Sequence, residues 1–386
     1  MLALFSLGAT AHAQTSDCAA SSPAEFERCA ERDALQLMEA HGFPSFSLGV
    51  VRGDTLVYAR SFGVADRETG ALAGPTTLYQ LGSVTKMFTG LLFALMVEDG
   101  TVRLGDRLAD HLPDGVRVPT DADSSRITLQ HLATHTSGLP RFPPNLDRVD
   151  GDPVLGFSLD ELYAGLAASE LVFPVGAGRE YSNFGYGVLA HALERAAGEP
   201  YEALLRRYVL DPLGMDDTGL TLTDEQRARL ATPYRDDDPT VATQPWDMGA
   251  MSGAGGLFSS VEDLARFVAF QTSGSDGLGG GALGPHTADA LRLVRTPFYR
   301  YTQQTEVAYG LGHFVVDWTE RDATLVLHNG DVDGYAAQVR FSPDLGVGVV
   351  VLTNSGMGQH VGPLANELMK AALDAYGEEG GAVGGG

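Results

Sequence analysis

Hydrophobic and polar residues alternate from Phe46 to Asp66, in FSLGVVRGDTLVYARSFGVAD, and the alternation breaks at Arg52-Gly-Asp54. A period of two interrupted by a glycine reads as a β-hairpin, with one strand near Phe46–Val51 and the second near Thr55–Phe62. The preceding segment, PAEFERCAERDALQLMEAHGF, spaces its apolar residues as a helix does and stops at Gly42. After the hairpin, Ser83 to Asp99 is helical and almost continuously apolar, as expected of a helix buried on all sides, and Gly100 ends it.

From residue 101 to about 250 the pattern changes. LPDGVRVP, SGLPRFPP and YEALLRRYVLDPLGM predict loops and short helices punctuated by proline. GGLFSSVEDLARFVAFQTSG then predicts a helix capped by Ser260, with Glu262 and Asp263 in its first turn. Residues 282–297 also read as helical. In the last third YGLGHFVVDW, ATLVLHNG, YAAQVRFSP and GVGVVVLTN predict four strands, and VGPLANELMKAALDAY a closing helix. Strands near both ends around a helical middle predict an α+β fold, in which one antiparallel sheet is completed by both ends of the chain and flanked by helices. The expected division is an α/β domain of residues 35–100 and 251–376 with a mostly helical domain, 101–250, inserted into it. Residues 14–34 form an arm, and the tail at 377–386, GEEGGAVGGG, has nothing to pack.

Composition narrows the partners. Fifty acidic against 26 basic residues give a formal charge of −24, which argues against nucleic acid and disfavours an anionic membrane surface. No later stretch approaches the roughly 18 consecutive apolar residues of a membrane-spanning helix. The start, MLALFSLGATAHAQTS, has an apolar run followed by the small-x-small Ala11-His-Ala13. Residues 1–13 are therefore expected to be a secretory signal, although without a basic start, and the protein periplasmic or secreted. The two cysteines, Cys18 and Cys29, then either form a disulfide or remain thiols near the N-terminus.

The candidate chemistry starts from a scarcity. Lys86 and Lys370 are the only lysines, against 24 arginines. On a helix Lys86 shares a face with Ser83, three residues before it. A serine hydroxyl attacks only when something takes its proton. An amine surrounded by Met87, Phe88, Leu91 and Leu92 can be driven toward neutrality and accept that proton, which a guanidinium cannot do. Ser-x-x-Lys alone also arises by chance, but two other segments support it. In Tyr181-Ser-Asn183 the phenol can share the serine proton with Lys86, and the Asn183 amide can order a carbonyl or the lysine. In His328-Asn329-Gly330 a strand-end glycine admits a close substrate backbone. The N–H of Asp331 can then join that of Ser83 at a developing oxyanion.

Taken in order, Ser83-Val-Thr-Lys86, Tyr181-Ser-Asn183 and His328-Asn-Gly330 resemble the motifs of the penicillin-recognising serine hydrolases. These are the class C β-lactamases, D-alanyl-D-alanine carboxypeptidases, D-aminopeptidases and related esterases. LATHTSGLP from Leu132, DPLGMDDTG from Asp211 and GYAAQVRFSPDLGVGVVVLTN from Gly334 match as well, so the resemblance runs from about residue 35 to 375. It implies a sheet of about five antiparallel strands flanked by helices, beside an all-helical domain. It also implies that Ser83 is acylated, that Lys86 and Tyr181 handle its proton, and that the N–H groups of Ser83 and Asp331 form the oxyanion hole. No metal or organic cofactor is implied, and the partner is a small acyl substrate: an ester, a lactam or a D-peptide.

The third motif departs from the Lys-Thr-Gly of classical β-lactamases. His328 is largely neutral at pH 7, Asn329 lacks a hydroxyl, and Asp331 adds a negative charge unless its side chain turns away. These changes favour neutral esters over carboxylate-bearing lactams or D-Ala peptides. β-Lactamase or D-alanyl-D-alanine carboxypeptidase activity is the second reading, D-aminopeptidase or amidase activity the third, and a non-catalytic binding protein the reading from another class. Among other residues, His135 reads as a structural loop residue, Trp246 as pocket lining or simple packing, and Asn354 as a strand-end turn residue.

Overall fold

The structure is a computed structural model that describes residues 20–121, 126–146, 152, 154–273, 287–302, 304 and 306–377. The candidate signal at 1–13, Cys18 and the tail from 378 lie outside the described residues. Cys29 is disulfide-bonded.

An eight-stranded antiparallel sheet organises the chain, in the order β2-β1-β10-β9-β8-β7-β6-β5. The hairpin β1 (Ser45–Arg52) and β2 (Thr55–Gly63) comes from the N-terminal part of the chain. It joins β10 (Val347–Thr353) in a register running from Phe46↔Thr353 to Arg52↔Val347. Both ends of the chain thus complete one sheet, as the strand pattern predicts. β9 (Tyr335–Ser342) and β10 are buried along their whole length, whereas the edge strand β2 alternates. Strands covered on both faces lose the alternation that an edge keeps.

The sheet is wider than the five strands implied by family resemblance. YGLGHFVVDW is two strands rather than one, β6 (Val307–Tyr309) and β7 (Phe314–Trp318). Between them the chain reverses over Gly310–His313, with Gly312 at φ 74°. That left-handed backbone favours glycine and stops a continuous strand. β5 (Tyr299–Arg300) adds the far edge, and the pair β3 (Tyr79–Gln80) and β4 (Phe258–Ser259) stands apart.

Helices Pro23–His41 and Gly358–Tyr376 cover one face through Phe26, Val361 and Leu368. The first stops at Gly42, as predicted. Against the other face packs Val261–Ser273, whose Asp263 N–H donates to Ser260 Oγ at 3.2 Å, the expected cap. Helix Thr85–Glu98 lies beyond it, with Phe88 stacked on Phe267 at 4.2 Å. The helical reading of 282–297 holds for Thr287–Arg295, and residues 282–286 lie outside the described residues. All the named strands fall outside residues 101–250. Among the described residues no helix is long and apolar enough to cross a membrane.

Candidate active site

Ser83 stands at a junction. The β3–β4 pair fixes the chain up to Gln80, and the Leu81 N–H donates to the Leu257 carbonyl at 2.8 Å. The chain then enters a tight 3-10 turn, Gly82–Val84, before helix Thr85–Glu98 begins. Ser83 therefore sits just ahead of the α-helix rather than in its first turn, because Gly82 at φ 50° bends the entry. The i,i+3 relation survives: Lys86 Nζ lies 3.1 Å from Ser83 Oγ and donates to the Ala254 carbonyl at 2.6 Å. Lys86 is fully buried. Burial, with some help from the Arg141 charge, holds its pKa well below the ordinary lysine value. Among the described residues no carboxylate forms a salt bridge with it.

Tyr181 reaches Ser83 because a loop holds its segment in place. Ser182 caps helix Asn183–Ala197, accepting from Gly185 N–H at 2.8 Å, and its hydroxyl donates to the Pro140 carbonyl at 2.7 Å. The Asn183 N–H donates to the Arg141 carbonyl at 3.0 Å. The Tyr181 phenol lies near enough to Ser83 for that side chain to favour its ionised form, and Lys86 Nζ is 4.8 Å from the centre of its ring. Burial pushes Tyr181 up to about 12. Lys86 is the group brought toward neutrality, and Tyr181 stays protonated.

The third segment lies on β8 (Ala323–Val332). β7 pairs with β8 only from Ala323 to Leu327, so His328–Val332 pairs with β9 alone and leaves one edge free. Gly330 backs directly onto the serine turn, where a Cβ would overlap the Leu81 carbonyl oxygen and lie 3.0 Å from Ser83 N. A Cβ on Gly82 would in turn lie 2.9 Å from Asp331 N. Two glycines thus let the amides of Ser83 and Asp331 approach each other, as an oxyanion site requires.

His328 is buried, and burial drives its pKa to about 3, so it is neutral. Its Nδ1–H donates to the Asn329 carbonyl at 2.7 Å, which leaves Nε2 to accept from Tyr309 Oη at 3.5 Å. Tyr309 Oη accepts from His135 Nε2 at 3.1 Å, and His135 Nδ1 accepts from the Ser182 N–H at 3.0 Å. One run of hydrogen bonds therefore ties the second segment to the third, and it sets the tautomer of both histidines. His135 is structural, as read, yet its ring lies 4.5 Å from that of Tyr181 and supports it.

Asn329 Oδ1 is buried without a hydrogen-bond partner. The Asp331 carboxylate turns toward Gly358, whose N–H it faces, and keeps contact with solvent. The surrounding protein and then the Asp236 carboxylate push it up to about 7. The side chain that argued against carboxylate substrates is thus drawn aside, in surroundings that favour its neutral form more than water does.

Two arginines escaped the sequence reading. Arg141 and Arg179 flank the Tyr181 ring, with Cζ at 5.3 and 5.9 Å from its centre. Their only signal in sequence was nearness to the Tyr181 and LATHTSGLP segments. Trp246 lines a pocket of about 420 Å³ with Leu220, Met248 and Phe258. That lining contains none of the predicted site residues. Asn354 is more than a turn residue: buried, it accepts from Ser45 Oγ at 2.7 Å and donates to the Thr232 carbonyl at 3.0 Å.

Known proteins resemble this chain in sequence and fold. The chain is 29% identical over 356 residues to the D-alanyl-D-alanine-carboxypeptidase/endopeptidase AmpH of Escherichia coli K12, covering 88% of each chain. It is 29% identical over 357 residues to esterase EstB of Burkholderia gladioli, covering 83% of this chain and 88% of that one. The crystal structure of a β-lactamase/D-alanine carboxypeptidase from Yersinia pestis superimposes with a TM-score of 0.75 at 25% identity, over 90% of this chain and 99% of the other. The β-lactamase family model matches residues 30–374, from the first helix to the last. With that match running through all three motifs, the chain belongs to the penicillin-recognising serine hydrolases, the superfamily of β-lactamases and DD-peptidases.

Proposed function

We propose that this protein hydrolyses acyl-D-alanyl-D-alanine-type peptides, and reacts with β-lactams, through an acyl-enzyme on Ser83. The observation that carries this reading is a buried lysine, depressed in pKa, 3.1 Å from a serine that adjoins an unpaired strand edge. Such an edge takes an extended peptide by adding a strand. The relation to AmpH over 88% of both chains and the turning aside of Asp331 also favour a peptide over the ester expected from sequence.

In this reading Ser83 Oγ attacks the scissile carbonyl while its proton passes to Lys86 Nζ. The amides of Ser83 and Asp331 hold the oxyanion. Tyr181 donates its proton to the departing amine and regains one from Lys86. Water then attacks the acyl-enzyme, gives a proton back through the same pair, and Ser83 is restored. Ester hydrolysis is the second reading. EstB supports it at the same identity, and it uses the same groups.

Intact-mass measurement is expected to show one benzylpenicillin adduct on wild type and none on Ser83→Ala. Wild type should also release D-alanine from diacetyl-L-Lys-D-Ala-D-Ala. A p-nitrophenyl butyrate rate about a hundredfold above the peptide rate, roughly 2.7 kcal/mol of transition-state preference, would instead make the protein an esterase.

Asp331 adds a pH test. Its carboxylate becomes anionic as pH rises through about 7. The ratio of KM for the free-acid peptide to KM for its C-terminal amide is expected to rise about two- to fivefold between pH 6 and 8, a modest factor because the carboxylate is turned aside toward Gly358. In Asp331→Asn the ratio should stay flat. A flat ratio in wild type would mean that this carboxylate does not face the substrate.

A further inference from the structure

We propose that Arg179 is the anion-binding residue of the cleft and takes the terminal carboxylate of a peptide laid along the free edge of β8. The identity of that peptide rests on the function proposed above; the anion site rests on the residues themselves.

The first observation is an unmatched cation. Arg179 Nε and Nη2 are buried without any hydrogen-bond partner. Among the described residues neither Arg179 nor Arg141 forms a salt bridge. In a chain with 50 acidic and 26 basic residues, carboxylates are abundant, yet among the described residues none pairs with these two guanidinium groups. Buried donors left unpaired are costly and are expected to find an acceptor when a ligand supplies one.

The second observation is how the group is held. Its Cζ lies 4.4 Å from the Tyr309 ring centre, 5.1 Å from Tyr301 and 5.5 Å from Phe314. Aromatic faces steady a guanidinium plane, but they leave the fork of N–H groups along its edge unused, and that fork matches a carboxylate.

The third observation is direction. Phe314 is the first residue of β7 and pairs with Leu327, where the free edge of β8 begins. Every pairing in this sheet is antiparallel. A peptide on residues 328–332 with that same sense extends the line of β7 and runs in its direction. Its C-terminus therefore ends against Phe314, the ring beside Arg179. Position 328 carries a histidine held neutral by burial, so Arg179 supplies the positive charge that His328 lacks. Arg141, exposed on the Tyr181 ring, adds to the same positive field.

The test measures binding apart from turnover. Full-length Ser83→Ala protein and the double variant carrying Arg179→Gln are titrated calorimetrically with diacetyl-L-Lys-D-Ala-D-Ala and with its C-terminal amide. Arg179→Gln is expected to weaken the free acid at least about thirtyfold and the amide by no more than about twofold, the difference made by one charged hydrogen-bonded pair. Arg179→Lys should restore part of the loss. Equal weakening of acid and amide would show a structural role only and overturn the proposal. It is also overturned if Ser83→Ala binds the acid no tighter than the amide, or if acid binding ignores Arg179. Arg179-dependent binding without D-alanine release by wild type would remove the peptidase reading and leave the anion site standing.

Discussion

Lys86→Met is expected to lower kcat/KM at least about a thousandfold, within the range lost with a general base, while the protein stays folded. Methionine keeps an unbranched, apolar chain of similar length in a site that is fully buried and lined by Tyr181 and Tyr186. The amine that accepts the Ser83 proton is gone, and Tyr181, raised to about 12, is too weakly acidic to stand ready as a phenolate. Lys86→Arg should be as inactive and less stable, since a guanidinium cannot shed its charge in a buried site that offers the Ser83 hydroxyl and the Ala254 carbonyl but, among the described residues, no carboxylate.

The sign of the pH dependence follows from the direction of the shift. The working form is the neutral amine, so wild-type kcat/KM should fall as pH drops through the depressed pKa of Lys86 and level off above it. Residual activity in Lys86→Met should lack that acid limb. A Lys86→Met rate within tenfold of wild type would place the base elsewhere.

Gly330→Ala is expected to cost about 10²- to 10³-fold in kcat, the amount associated with losing one oxyanion donor. The added methyl would overlap the Leu81 carbonyl oxygen and press on Ser83 N. Both neighbours are backbone, so no flexible side chain can yield, and β8 must draw back from the serine turn. That motion separates the Asp331 and Ser83 amides, whose closeness is registered from the other side by Gly82. The effect should appear in kcat more than in KM, because the amides tighten on the transition state. A melting-temperature measurement accompanies the kinetics. Near-normal kcat with a lowered melting point would mean that the strand absorbs the methyl without moving its amide.

Much of this site was legible in the sequence. The Ser83–Lys86 spacing needed only helical geometry, and the 3-10 entry changed its setting without separating the two atoms. The hairpin, the stop at Gly42 and the Ser260 cap were readable because each depends on residues a few positions apart. YGLGHFVVDW misled because its two strands have ordinary strand composition, and the reversal between them is stabilised by contact with the buried helix, where Gly312 lies against the Lys86 carbonyl.

What the chain determined by itself was the set of elements and the order of the three motifs, since periodicity, caps and turn residues act locally. The tertiary structure alone decided the chemical state of the site. The charged form of Lys86 is disfavoured, Tyr181 is held toward its neutral phenol and His328 toward its neutral imidazole because distant segments remove their water. In the same way Asp331 turned toward Gly358, and Arg179 came to stand among aromatic rings with no salt bridge among the described residues. Solvent exclusion and charge pairing depend on neighbours in space, and no local pattern of residues encodes them.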